Sequence, residues 1–295
     1  MARFWITPAV FAGCLLGFGL VFAGRTGAQN AVVPEAVPPA GWPLAFDEPF
    51  DRVDLHVQGS GRWEPHYPDG WRTNLGNKEL QYYIDPRPNG DAAALAPLHP
   101  FLVKDGILSI RAERVPEGAL RATGGYRYAS GMLTTYRSFS FQYGFVEMRA
   151  RVPRGRGLWP ALWLLAAAKG WPPEIDVMEA YGDQLQTLYV TLHTNESGKH
   201  RQAQAKVPVP DMSADFHVYG MKWTADEIAW YFDGRRVFAA PTPADMHQRM
   251  FLLVNLAVGG TYTGSPDAQT KFPALFEVDW IRVFAAPAEQ KATGR

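Results

Sequence analysis

A single cysteine, Cys14, occurs in the 295 residues, inside the apolar segment that opens the chain. The 267 residues after position 28 therefore hold no disulfide and no thiol chemistry. Their stability has to come from a large buried core, which a chain of that length can provide. A charge excess is missing too, with 29 Lys and Arg against 29 Asp and Glu. Taking away residues 1–28 removes Arg3 and Arg25 and no acid, which leaves 27 against 29. Such neutrality argues against nucleic acid or an anionic surface as partner and is compatible with an uncharged ligand. No cluster has the spacing of a zinc or iron site, and no glycine-rich phosphate loop occurs. Nor is there a capped helical stripe of about 12 residues or more, an internal repeat or a charge block.

The one long apolar run is at the start. Met1-Ala-Arg-Phe leads into apolar residues from Trp5 to Ala23, with small residues at Thr26 and Ala28. This pattern predicts a signal peptide over 1–28, cut after Ala28, and so a secreted or periplasmic protein with no membrane contact after cleavage. The run is also long enough for an uncleaved anchor. Phe11-Ala-Gly-Cys14 loosely resembles a lipid-attachment motif, although Leu15-Leu16 behind it argues against that use. Residues 29–44, with Pro34, Pro38, Pro39 and Pro43, read as an irregular lead-in, and residues 286–295 as a frayed tail. Residues 45–285 between them read as one domain, expected to act as a monomer.

Wherever this stretch is regular, it alternates with period two. Leu108-Ser-Ile110-Arg-Ala112-Glu and Val146-Glu-Met148-Arg-Ala150-Arg-Val152 predict half-buried strands. Asp233-Gly234 between Trp230-Tyr-Phe232 and Arg235-Arg-Val237-Phe238 predicts a hairpin turn, since glycine accepts positive φ at no steric cost. Thr187 to His193 would put Leu188, Val190 and Leu192 on one face, and Thr187, Tyr189, Thr191 and His193 on a face suited to a wet cleft. Short strands punctuated by 28 glycines and 24 prolines indicate an all-β sandwich or barrel.

Chemistry concentrates in Trp171-Pro-Pro-Glu174-Ile-Asp176-Val-Met-Glu179-Ala-Tyr-Gly182. Glu174 and Asp176, two apart in a strand, share a face. Glu179 is an odd step further and would enter the core unless one extra residue, a β-bulge near Val177-Met178, turns it back. Three carboxylates on one face repel one another, which raises at least one pKa. Glycoside hydrolysis uses such a separation, one ionised carboxylate attacking the anomeric carbon while a protonated one donates to the leaving oxygen. A calcium-binding acidic face or a solvated strand edge are the plainer alternatives. The second fits poorly with Ile175, Val177 and Met178 on the opposite face.

Glu174-Ile-Asp-Val-Met-Glu179 resembles the E-x-D-x-x-E signature of glycoside hydrolase family 16, the laminarinase-like branch of the concanavalin-like β-sandwiches. Asn77-Lys-Glu79-Leu-Gln-Tyr-Tyr83, Tyr143-Gly144-Phe-Val-Glu147 and Gly157-Leu-Trp159-Pro-Ala-Leu-Trp163 resemble further motifs of that family. Asp215-Phe-His217, Trp223, Asp233-Gly234, Asn255 to Gly260 and Val278 to Val283 follow in its order, so the likeness runs from about Phe46 to Phe284. It implies a jelly roll of two antiparallel sheets with a concave substrate cleft. It also implies a retaining endo-glycosidase with Glu174 as nucleophile, Asp176 as its helper and Glu179 as general acid then base. The x-x gap implies the bulged branch of β-1,3-glucanases, agarases and carrageenases. Trp159-Pro-Ala-Leu-Trp163 with Asn77 and Glu79 favours β-1,3 or mixed β-1,3/1,4 glucan over galactans. A transglycosylase with the same acids and a non-catalytic carbohydrate-binding protein are the other readings. Met132 stands where many laminarinase-like members carry a sugar-contacting arginine, and Pro173 where a glycine is common.

The resemblance makes Trp159, Trp163, His193, Asn77 and Glu79 substrate-binding candidates, with flat aromatic rings serving as platforms for sugar faces. Trp171, Tyr82 and Tyr262 are further platform candidates. His193 is expected to hydrogen-bond and tune Glu179, whereas His66 and His217 read as structural and Asn255 as a buried brace. No cofactor is required for the reaction. One structural calcium is implied on the convex face, held by the carbonyls of Pro49 and Gly106 and the carboxylate of Asp279.

Overall fold

A computed structural model describes residues 37–91, 93–168 and 170–287 of the chain. The expected signal segment, residues 29–36 of the lead-in and residues 288–295 of the tail lie outside the described residues. Sixteen strands occur among the described residues: β1 (Leu44–Glu48), β2 (Gln81–Tyr83), β3 (Phe101–Lys104), β4 (Ile107–Arg114), β5 (Tyr128–Ser130), β6 (Met132–Thr134), β7 (Gly144–Arg151) and β8 (Leu158–Ala166), followed by β9 (Glu174–Glu179), β10 (Thr187–Thr194), β11 (Arg201–Pro208), β12 (His217–Trp223), β13 (Glu227–Phe232), β14 (Arg235–Pro241), β15 (Met250–Val258) and β16 (Ala274–Ala285). Helical structure among the described residues is confined to three single 3₁₀ turns.

Two sheets result. One has six strands in the order β11-β10-β9-β8-β15-β6, and the other has ten, with β14-β13-β12-β7-β16-β4-β5-β2 as its main path and β1 and β3 paired to β16 and β4. The fold is the expected all-β sandwich. Its pairing is antiparallel except at β2 and β5, which run parallel with Gln81 opposite Tyr128. The hairpin β3–β4 lies between these two strands in sequence, and it supplies the long connection that a parallel pair requires.

Period two explains which face each strand buries. Leu158, Leu162 and Leu164 on β8, Leu188, Val190 and Leu192 on β10, and Leu252, Val254 and Leu256 on β15 point into the space between the sheets. Val146, Met148 and Ala150 of β7, Tyr219, Met221 and Trp223 of β12, and Val278, Ile281 and Val283 of β16 meet them there. Each such apolar side chain withdrawn from water contributes roughly 1.5–3 kcal/mol, which is how a core without disulfides holds. The Asp233-Gly234 turn has φ of 47° and 74°, so both residues adopt the left-handed geometry of a two-residue hairpin.

The expected irregularity is in β9. On the β10 side Tyr189 pairs with Glu179 and Thr191 with Asp176, so two steps along β10 match three along β9. On the β8 side Leu162 pairs with Met178 and Trp163 with Asp176, which leaves Val177 as the additional residue. Val177 and Met178 are both buried in the core. Glu174, Asp176 and Glu179 thereby share the outer, concave face of the six-stranded sheet. Deleting Val177 would remove the bulge and leave Glu179 two steps from Asp176, so a regular strand would still carry the three acids on one face.

Candidate active site

β9 is flanked on both sides, by β8 and β10, so hydrogen-bonded ladders hold the acids rather than a loop. Trp171 Nε1 donates to Glu174 Oε2 at 2.7 Å, and Trp159 Nε1 donates to Glu179 Oε1 at 3.0 Å. Thr191 Oγ1 lies 3.4 Å from Glu179 Oε2. The backbone carbonyl of Asp176 accepts from the core residue Trp230 at 2.8 Å, which fastens the middle of the strand to the opposite sheet. Burial, and then the charge of Asp176, push Glu174 up to about 8. Burial and the charge of Glu174 push Glu179 up to about 7. Asp176 is held well above the usual carboxylate range by burial and by Glu179. Such a group keeps protons at neutral pH and can both donate one and, once ionised, attack.

The concave face carries the tryptophans. Because Leu158, Leu162 and Leu164 enter the core, the alternate residues Trp159 and Trp163 stand on the side of the acids. Trp159 packs against Tyr181, Tyr189 and Ala257, outside the main core, and the exposed ring of Tyr262 meets it edge-on at 5.5 Å. Trp163 donates to Asn255 Oδ1 at 2.7 Å, and Asn255 in turn donates to the Tyr83 hydroxyl at 3.0 Å. Trp171 is 47% exposed, while Met132 is fully buried with Tyr67, Tyr83, Phe251 and Leu253 beneath the same face.

The sequence profile described as "Glycosyl hydrolases family 16" matches residues 101–282. An endo-1,3-1,4-beta-glycanase, EglC, of Rhizobium meliloti is 42% identical over 83% of the chain and 52% of its own length. The chain belongs to glycosyl hydrolases family 16. A beta-glucanase of Rhodothermus marinus is 33% identical over 82% of the chain and 85% of its own length. The crystal structure of the laminarinase catalytic domain from Thermotoga maritima superposes with a TM-score of 0.67 at 32% identity, covering 83% of the chain and 99% of that domain. The chain spans about half the length of the Rhizobium relatives it matches.

Within this family 16 scaffold, several candidates take other places than expected. His193 does not touch Glu179. Its register partner is Glu174, and its Nε2 lies 3.4 Å from Asp176 Oδ2 and 3.8 Å from Glu174 Oε1. The antiparallel register is the reason, since it sets His193 opposite Glu174 and Tyr189, four residues earlier, opposite Glu179. Glu79 is buried and accepts from Gln81 Nε2 at 2.7 Å, Asn77 Nδ2 at 3.2 Å and the Asn74 amide at 3.2 Å. Burial pushes its pKa up. With its oxygens engaged, Glu79 braces the loop that carries Asn77 instead of meeting solvent. That loop closes on Gly260, whose φ is 107° and where an added Cβ would lie 2.9 Å from the Asn77 carbonyl and 3.7 Å from the Trp159 ring. Asn77 and Glu79 thus border the Trp159 end of the cleft. Tyr82 belongs elsewhere, its hydroxyl bonded to Asp91 at 2.9 Å. His66 and His217 pair with Glu64 and Asp233, as structural residues do.

Two residues near the acids escaped the sequence reading. His200 Nε2 lies 2.9 Å from His193 Nδ1, and its ring packs 4.8 Å from that of Trp171. A hairpin reading of the turn from Asn195 to Gly198 would have folded His200 back over His193. Tyr67 packs edge-on against Trp163 at 6.2 Å, but it comes from an irregular loop in which no periodicity points anywhere.

The implied calcium ligands converge only in part. Pairing of β1 and β4 with β16 brings Pro49 and Gly106 toward the bulge at Asp279. The Asp279 carboxylate, however, accepts a hydrogen bond from the Arg149 guanidinium. One carboxylate already neutralised by arginine, with two carbonyls, does not fit a calcium ion that takes six to eight oxygens.

Proposed function

We propose that the chain is an exported, monomeric, retaining endo-β-glucanase acting on β-1,3 or mixed β-1,3/1,4 glucan. The observation that carries the reading is the placing of three carboxylates, all with raised pKa, on the concave face of one bulged strand. The names of the Rhizobium and Rhodothermus relatives support the substrate class, and the signal-like residues 1–28 support export.

In the first displacement a Glu174 oxygen attacks the anomeric carbon while Glu179 gives its proton to the departing glycosidic oxygen, leaving a glycosyl ester on Glu174. In the second, Glu179 takes a proton from water, the water oxygen replaces Glu174 on the sugar, and the starting configuration returns. The order of Glu174 at about 8 above Glu179 at about 7 is the reverse of what the first step uses. The two groups and Asp176 share protons as one cluster. The leaving oxygen, once seated beside Glu179, draws the proton there and leaves the charge on Glu174, where the Trp171 N–H stabilises it.

Trp171→Phe keeps the ring and removes that donor. It is expected to lower kcat/KM about tenfold, the worth of one hydrogen bond to a charged group, and to move the acid limb of the pH profile upward. An unchanged profile would remove Trp171 from the role. The reading as a whole is tested by incubating the protein with laminarin, lichenan, agarose and carrageenan. Release of reducing ends from the two glucans and neither galactan is expected, and products longer than the input would instead mark a transglycosylase.

A further inference from the structure

One arrangement in the cleft is not used by glycoside hydrolysis. His193 Nδ1 is 2.9 Å from His200 Nε2, so one proton lies between the two rings. With that proton on His193, its Nε2 presents a bare lone pair to Asp176 Oδ2 at 3.4 Å and Glu174 Oε1 at 3.8 Å. His193 Nε2 and the two carboxyl groups then face one another. The Asp176 side chain is only 4% exposed, and its Oδ2 has no hydrogen-bond partner. One ligand atom from each of Glu174, Asp176 and His193 lies within 4.8 Å of the others. A tetrahedral zinc ion with bonds of about 2.1 Å holds its ligands about 3.4 Å apart, so the spacings of 3.4 and 3.8 Å from His193 to the two acids need little adjustment.

The ligand types narrow the ion. An imidazole nitrogen with two carboxylate oxygens suits zinc-like divalent ions and offers too few oxygens for calcium. His200 would accept from the outer ring nitrogen of His193, the kind of support that fixes the tautomer and orientation of metal-binding histidines. We propose that Glu174, Asp176 and His193 form a binding site for a divalent transition-metal ion of the zinc class, which excludes glucan while it is bound. The metal site itself stands on geometry alone, and only the exclusion of glucan rests on the proposed glucanase activity.

The test is calorimetric titration of the full chain with zinc chloride. One ion per chain is expected, with affinity at least tenfold weaker in His193→Gln and in Glu174→Gln, and unchanged in the control His217→Gln, which lies outside the cleft and pairs with Asp233. Cobalt(II) should give a visible absorption band with the unaltered chain and lose it in His193→Gln. Circular dichroism verifies that each variant is folded. Absence of stoichiometric binding at millimolar zinc, or equal binding by folded His193→Gln, would overturn the site. Zinc is also expected to raise the apparent KM for laminarin without changing kcat. Stoichiometric binding that leaves hydrolysis untouched would refute the place of the acids in the reaction and not the metal site.

Discussion

Glu174→Gln and Glu179→Gln are each expected to lower kcat on laminarin by roughly a thousandfold or more while leaving the fold intact. Each amide keeps the size and hydrogen-bonding reach of the acid it replaces, but it cannot attack carbon or release a proton, and a general acid alone contributes about 10²–10⁴-fold. Alanine variants separate the two roles. In Glu174→Ala the space beside the anomeric carbon admits azide, which would displace an activated leaving group directly and give a glycosyl azide of inverted configuration. In Glu179→Ala, Glu174 still forms its ester with an activated substrate, and azide then replaces water to give a product of retained configuration. The anomeric proton coupling of each product reads the outcome. Exchanged products would exchange the two roles, and near-normal hydrolysis by either glutamine variant would end the assignment.

The same acids should cost the fold stability. A buried carboxyl whose pKa is raised in the folded chain favours its protonated form, so its contribution is fully present below the ordinary value of 4.5. It is lost as pH rises toward 7 for Glu179 and 8 for Glu174. Glutamine has no proton to lose. Glu174→Gln is therefore expected to match the unaltered chain near pH 4 and to exceed it by about 2–4 kcal/mol near pH 9, on the scale of 1.36 kcal/mol per pKa unit reduced for partial solvation. In thermal melts this amounts to roughly 5–10 °C. A difference that is constant across the range, or that grows toward acid pH, would show that Glu174 is not held above its ordinary range.

Where period two meets chemistry, the fold and the site could be read from the sequence. The odd step from Asp176 to Glu179 announced a bulge because three acids had no reason to split between cleft and core. The same odd step, from Val278 to Ile281, carries a second bulge at Asp279 and drew no attention, since all the residues that frame it are apolar and fit a strand without it. The contacts of His193 were misplaced for a related reason. The register between β9 and β10, which no spacing within either strand reports, sets His193 opposite Glu174 and Tyr189 opposite Glu179. Glu79 looked like a sugar ligand, but three donors from Asn74, Asn77 and Gln81 occupy it, and such saturation is a property of a folded loop that no spacing reports. Asp279 takes its partner Arg149 from the neighbouring strand, 130 residues away in sequence, where no local spacing points to it.

β9 lies inside its sheet, with a neighbour along each side, whereas Asn77 and Gly260 come from loops at the rim. On the proposed reading, bond cleavage and the choice of which polymer to cleave fall to parts of the chain that can vary separately. Lengthening or shortening a rim loop would then change the diet while leaving the central strand, and the spacing of its acids, untouched.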